Sequence, residues 1–374
     1  MLPDFALETY FSRWEFAARY HLTASDAQTM RVGELLGLAD GQARTLWDEL
    51  ALGYTETYGL PALRAEIAGT YDDLGPEHIL CFAGAEEGLY LAMQVLLGPD
   101  DHAVVLTPNY QAAETVPLAR CAVTGVALRE RDGWALDVDA IEAALRRNTR
   151  VVSVNFPNNP TGAVPDHAGW LRLVRLCTDR GIRLFSDEVY RGLELDEAVR
   201  IDQAADLSPT ALSLNVMSKA YGLPGLRIGW IACRDTELLG RLERAKHYTS
   251  ICNAGPSEVL ALIALRARDR LLARNRQIIA DNLPVFDEFF GARPDLFEWT
   301  PPQGGCVAYP RYLGADGVEA MCHDLVDEAG VLLLPASIYR SALHPTPTDR
   351  FRVGVGRTHP EPALAAWSSW LSTR

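Results

Sequence analysis

Six short runs of β-branched and apolar residues recur through the middle of the chain: HILCFAG, HAVVLTP, VVSVNFP, GIRLFSD, ALSLNVMS and LRIGWIAC. Between them lie segments with helical spacing, such as IEAALRRN and WLRLVRLCTDRG. Strands that alternate with helices pair side by side in parallel, because a parallel neighbour is reached only through a crossover long enough to hold a helix. The pattern therefore predicts an α/β fold with a mainly parallel sheet between helices. Ligands of such sheets gather in the crevice at the carboxyl ends of the strands. Four of the runs end in residues equipped for chemistry: Gly84, Asn155 leading to Asn159, Asp187, and Ser218 with Lys219. Four such ends pointing at one crevice predict a site there.

With 374 residues, 48% of them hydrophobic, the chain exceeds the size at which one core usually gives way to two, so two domains are expected. Helical periodicity from about Ser257 to Phe290 predicts one long helix leading out of the sheet domain. Beyond it, FEWTPPQGGCVAYPRY, VLLLPASIY, RFRVGVGR and a final helix read as a smaller α+β unit, onto which the first forty or so residues fold back. The expected division is a large domain over 46–285 and a small one built from both chain ends, 1–45 and 286–374.

A net charge of −14 argues against nonspecific attraction to nucleic acid or an anionic membrane, which leaves small molecules as the favoured partners. The N-terminal MLPDFALETYFSRWEF has acids and aromatics where a signal peptide needs a basic start and an unbroken apolar run. No apolar stretch approaches the roughly 20 residues needed to span a bilayer, and a cytoplasmic location is expected. The seven cysteines are odd in number and widely spaced, without a CxxC pair, and no two histidines sit at a helical ligand spacing. Neither a disulfide framework nor a protein-bound metal is expected. No strand-like run is followed by GxGxxG, which disfavours a dinucleotide-binding oxidoreductase.

The basic residues are unevenly chosen. Lysine and arginine total 35, yet lysine occurs only at Lys219 and Lys246. An arginine guanidinium stays charged near neutral pH, whereas a desolvated lysine amine can lose its proton and act as a nucleophile. Lys219, in NVMSKAYGLPGLRIGW at a strand end, is thus a candidate for imine formation. The bland alternative is a surface cation. The scarcity of lysine elsewhere and the apolar neighbours favour chemistry.

With YTETYGLPALR, AGAEEGLYLA, PNNPTG, SDEVYRGL, SKAYGLPGLRIGW and FRVGVG in this order, the chain from about Tyr54 to Arg352 resembles the class I/II aminotransferases, pyridoxal-phosphate enzymes of fold type I. The resemblance implies a mainly parallel seven-stranded sheet, a small domain from both chain ends, and a homodimer with active sites at the subunit boundary. It implies pyridoxal 5′-phosphate as cofactor, joined to Lys219 as a Schiff base, with Lys219 also shuttling the Cα proton. Asp187 would face the pyridinium nitrogen, although a strand-end aspartate is often only a helix N-cap. Asn159 and Tyr190 would bond the phenolic oxygen, and Tyr110 would stack on the ring unless it is merely a buried loop aromatic. Arg227, Ser218 and the helix start at Gly84, Ala85 and Glu86 would hold the phosphate, with Tyr54 reaching it from the other subunit. Arg352, read otherwise as a solvated strand charge, would grip the substrate carboxylate, with Asn159 beside it. The glycine-rich QGGCV, which alone could be a hairpin turn, would line the entrance.

Glu86 and Val216 depart from the pattern, standing where the family usually offers phosphate donors; the cofactor is still expected to bind, less tightly than is typical. The expected activity is transfer of an amino group from an L-amino acid to a 2-oxo acid in a ping-pong cycle. The alternative is elimination, replacement or ring closure on an amino-acid side chain, as in capreomycidine-synthase-like members, which the chain also resembles. The N-terminal RWEFAARYHLTASDAQTM lacks the usual GEPDF-like stretch, which points to unusual substrate handling. A noncatalytic sensor is a third reading, disfavoured because no basic helix-turn-helix precedes Tyr54.

Overall fold

The runs of apolar residues become strands buried on both faces in the computed structural model, which describes residues 2–374. The strands are β1 (Ile79–Phe82), β2 (His102–Thr107), β3 (Ala122–Ala127), β4 (Thr149–Asn155), β5 (Arg183–Asp187), β6 (Leu212–Val216) and β7 (Gly229–Ala232). They form one sheet in the order β1-β7-β6-β5-β4-β2-β3. All pairs are parallel except those of β7, which runs antiparallel to both β1 and β6. Six of the seven come from the patterned runs. The seventh, β3, is an edge strand whose residues are mostly half-buried, and its sequence AVTGVA is too small and too diluted by Gly125 to stand out.

Side chains alternate across the sheet, so each strand feeds two cores. On one face Leu80, Phe82, Phe185, Leu214 and Ile231 pack against α2 (Ala85–Leu96), α1 being Ala6–Trp14. On the other, Val104, Val152, Val154 and Leu184 pack against Trp170, Leu173 and Val174 of α3 (His167–Asp179). Fully burying side chains of this size stabilises the fold by about 1.5–3 kcal/mol each.

The single helix expected from Ser257 to Phe290 is two. α4 (Gly255–Arg266) and α5 (Arg268–Gly291) meet at Ala267, whose φ of −98° and ψ of 14° leave the helical region. α4 is buried along nearly its whole length. α5 instead buries a stripe through Leu271, Asn275, Ile279, Asn282 and Phe286. The turn at Ala267 lets one segment stay inside while the next presents its apolar stripe. Periodicity carries straight across a single changed residue and does not register it.

The chain ends meet. Tyr20–His21 pairs in parallel with Val331–Leu332, and Gly354 N–H donates to the Leu22 carbonyl at 2.8 Å. A short antiparallel sheet places Phe351–Gly354 between Val307–Ala308 and Leu334–Pro335. Behind it Phe289, Phe290, Phe297, Phe351 and Trp367 pack as an aromatic cluster. From there the N-terminal segment crosses to the large sheet, where Ala27 N–H donates to the Lys219 carbonyl at 3.2 Å. The other lysine, Lys246, is fully buried and donates to the Thr57 carbonyl at 2.6 Å. Among the described residues no helix is long and apolar enough to cross a membrane.

A methyl group on Gly354 would press into the Ala24 carbonyl oxygen, which is backbone and has nowhere to go. Gly354→Ala is expected to lower stability by about 1–3 kcal/mol, read as a reduced midpoint in thermal denaturation.

Candidate active site

At the carboxyl ends of β4, β5 and β6 the structure opens a cavity of about 640 Å³. Asn155 closes β4, Asp187 closes β5, Leu214 and Val216 end β6, and Ser218 and Lys219 follow. Ala85 and Glu86 enter from the start of α2, and Tyr110 and Tyr190 from the loops after β2 and β5. The N-terminal segment closes the opposite side with residues from Leu7 to Asp26.

Lys219 donates from Nζ to Ser25 Oγ at 2.8 Å. Burial pulls its ammonium pKa below the ordinary value, which raises the fraction of free amine. Asp187 is enclosed as deeply, and burial pushes its carboxyl up to about 7. One of its oxygens accepts from Val189 N–H at 3.2 Å in the turn that follows the strand. The turn thus uses Oδ1 and leaves Oδ2 for a partner. A cationic ring N–H placed there would restore the carboxylate.

Asn159 is held from three sides. Its N–H donates to Asn155 Oδ1 at 2.8 Å, and its own Oδ1 accepts from Arg352 Nη1 at 3.2 Å and Tyr339 hydroxyl at 3.1 Å. Only the N–H side of the amide is left for a ligand. Arg352 is completely buried, which excludes a solvated strand charge. It donates from Nη2 to the Thr23 carbonyl at 2.7 Å, while its Nε has no partner. The Tyr190 hydroxyl is likewise buried and unpartnered. Buried groups of this kind cost about 1–3 kcal/mol each unless something completes them.

Arg227 lies at φ +51°, and its Nη1 stands 3.5 Å from Ser218 Oγ. A Cβ on Gly84 would come within 2.5 Å of Nη2, so the glycine makes room for the guanidinium. The free N–H groups of the first turn of α2 begin beside it. Glu86 lines the cavity beside Tyr110, and burial raises its carboxyl pKa. Tyr110 packs at 5.3 Å from Phe5. Val216, buried in the wall, offers no donor.

Gly84, Arg352 and Tyr54 stand outside the cavity wall. Gly84 adjoins Ala85, Arg352 reaches Asn159 from behind, and Tyr54 is 93% exposed on the surface. Several wall residues were not singled out by sequence: Glu8, Glu15, Ser25, Asp26 and Arg357, with Asp26 and Arg357 joined at 2.7 Å. Glu15, Ser25 and Asp26 lie in the unusual N-terminal stretch, which has no spacing motif of its own, and Arg357 ends the RFRVGVGR run.

A family model described as Aminotransferase class I and II matches residues 42–365. The chain belongs to that family. Capreomycidine synthase of Streptomyces vinaceus is 32% identical over 377 residues, covering 100% of this chain and 95% of the relative. Arginine–pyruvate transaminase AruH of Pseudomonas aeruginosa is 32% identical over 314 residues, covering 81% of this chain and 77% of the relative. Among solved structures, a PLP-dependent aminotransferase from Streptococcus suis 89-1591 superposes with a TM-score of 0.90 at 27% identity, covering 100% and 97% of the two chains. The PLP-dependent cyclase OrfR superposes with a TM-score of 0.89 at 26% identity, covering 100% and 98%.

This aminotransferase-family chain is a fold type I protein whose cofactor is pyridoxal 5′-phosphate. The donor set fits that group: an amine, a carboxyl with a free oxygen, an unpartnered phenol, and a guanidinium beside a helix N-terminus.

The raised pKa of Asp187 has a signed consequence for the cofactor-free protein. Between about pH 4 and 7 the native state holds a proton that the unfolded chain releases, so this residue's contribution to stability falls as pH rises through that window. Asp187→Asn removes the titration. The variant's melting temperature is expected to exceed that of the parent by more at pH 8 than at pH 5, as read by calorimetry on both proteins stripped of cofactor.

Proposed function

We propose that this enzyme is an aminotransferase that moves the amino group of an L-amino acid to a 2-oxo acid. The observation that carries the reading is the Lys219 amine, depressed in pKa and held by Ser25 in one cavity with Asp187, Asn159 and Tyr190. When bound, pyridoxal phosphate supplies a conjugated ring that takes up the electron pair released at the substrate Cα.

Lys219 would anchor the cofactor, and its amine is the group placed to move the substrate's Cα proton. Asp187 holds the proton on the ring nitrogen. Tyr190 and the Asn159 amide donate to the ring oxygen, which also gives the orphaned phenol its partner. Tyr110 covers one ring face. Arg227, Ser218 and the N–H groups at Ala85 and Glu86 take the phosphate, with Gly84 clearing the approach. Arg352 receives the substrate carboxylate through its open Nε, with Asn159 alongside. The enzyme acts as a homodimer in which Tyr54 serves the partner's phosphate site. Support for this comes from the exposure of Leu52, Tyr54 and Tyr248, at 88, 93 and 94%, on one side of the molecule where Thr55 bonds the Asn253 carbonyl. The large domain spans 46–285, and the small one joins 1–45 to 286–374.

A second reading, ring closure on an amino-acid side chain, is favoured by one observation. The similarity to capreomycidine synthase covers the whole chain, including the N-terminal residues before 42 that close the cavity and lie outside the family match.

Donor amino acid alone separates the two. Transamination yields one equivalent of oxo acid per site, with the cofactor absorbance staying changed until an oxo acid is added. Ring closure yields product over many turnovers and the original absorbance returns. Lys219→Arg keeps the charge but not the amine, and is expected to lose at least about 10²–10⁴-fold in turnover together with the bound-cofactor absorbance. Retained turnover in that variant overturns the assignment.

A further inference from the structure

Resting on the proposed dimer in which Tyr54 serves the partner's phosphate site, we infer that Lys246 is the positioning residue for Tyr54, clamping the backbone just beyond it. Its Nζ donates to the Thr57 carbonyl at 2.6 Å. Lys246 does not line the cavity of its own subunit, so the chemistry proposed there leaves it without a task.

Stability does not account for this lysine. The side chain is fully buried, and an ammonium brings three donors. Among the described residues Nζ makes that one hydrogen bond and no ion pair, with the Phe82 ring 5.9 Å away at the limit of a cation–π contact. Burial pulls its pKa below the ordinary value, and an apolar side chain of similar volume would pack there at less cost. Arginine, the basic residue used everywhere else but at Lys219, would bring five donors to a single acceptor. What the amine supplies is a point contact with one carbonyl.

The residue holds two exposed segments at once. Its own carbonyl, at the end of the helix Thr236–Lys246, accepts from Thr249 and Ile251 N–H, both at 3.0 Å. That turn carries the exposed Tyr248, and Ile251 at φ +66°, where a β-branched residue rarely sits. Its side chain grips the other segment, just after the exposed Tyr54. Thr55 Oγ1 donates to the Asn253 carbonyl at 3.0 Å and Leu60 N–H to Glu258 at 3.2 Å, so the stretch following Tyr54 is tied down at Thr55, Thr57 and Leu60. A ring standing clear of its own subunit, on backbone fixed beneath it, suits a residue that works across a subunit boundary.

Two heterodimers carrying the same substitutions test this. In the first, one subunit carries Lys219→Ala and the other Lys246→Met, so the single competent site is served by a Tyr54 whose own chain keeps Lys246. In the second, one subunit is unaltered and the other carries both substitutions, so the Tyr54 serving the competent site comes from a chain without Lys246. The dissociation constant of pyridoxal phosphate at the competent site, read from the absorbance of the lysine-bound cofactor, is expected to be about tenfold higher in the second, matching the loss in a Tyr54→Phe homodimer. A merely structural defect would follow the altered chain and weaken the first instead. Equal affinities, or a weaker first heterodimer, overturn the inference, while the reading of Tyr54 stands if Tyr54→Phe weakens binding. Unchanged affinity in Tyr54→Phe overturns both. Should the Met chain not assemble, Lys246→Gln takes its place in the same pair, and failure of that chain too marks Lys246 as a residue of the fold and overturns the inference.

Discussion

The enclosure of one amine and one carboxyl at neighbouring strand ends is what the rest of the molecule is arranged around. Burying either group alone is costly, because each loses water and neither is the other's direct partner in the structure. The sheet accepts the cost by presenting both at the same edge: β5 ends at Asp187, and β6 leads through Ser218 to Lys219. The antiparallel β7 returns beside β6, bringing the chain back from Arg227. The cavity is thus a product of strand order as much as of the residues that line it.

Enclosure also depends on the N-terminal segment. It is pinned at one end by the Tyr20–His21 pairing with Val331–Leu332 and at the other by the Ala27 bond to the Lys219 carbonyl. Between these points lie Ser25, which receives the lysine Nζ, and Thr23, whose carbonyl receives Arg352. A segment that precedes every strand of the sheet therefore supplies partners to both basic groups central to the chemistry.

Much of this was readable from residues alone. The six strands with strong β-branched runs and the residues at their ends carry short-range signals, since burial on both faces forces an apolar pattern and a crevice concentrates reactive side chains. β3 was not readable from pattern, because it pairs along one side only, stays mostly half-buried and so tolerates Gly125 and Thr124. The break at Ala267 was hidden for another reason: it changes direction without changing periodicity. The roles of Ser25, Asp26 and Arg357 are long-range. Nothing local to Asp26 marks a partner 331 residues away, and only folding brings the pair together. Glu86 lies between these cases, visible as a departure, while its place beside Tyr110 in the cavity wall became apparent only in three dimensions.

The distribution of lysine has an effect at the exterior too. Lys246 is wholly interior with its nitrogen on the Thr57 carbonyl, and Lys219 opens only into the cavity, so the outer surface displays arginine guanidinium groups and no ε-amine. An enzyme that handles a reactive aldehyde is thereby spared condensation at stray side chains. Excess vitamin meets a single chemically competent lysine, and it sits where the reaction takes place.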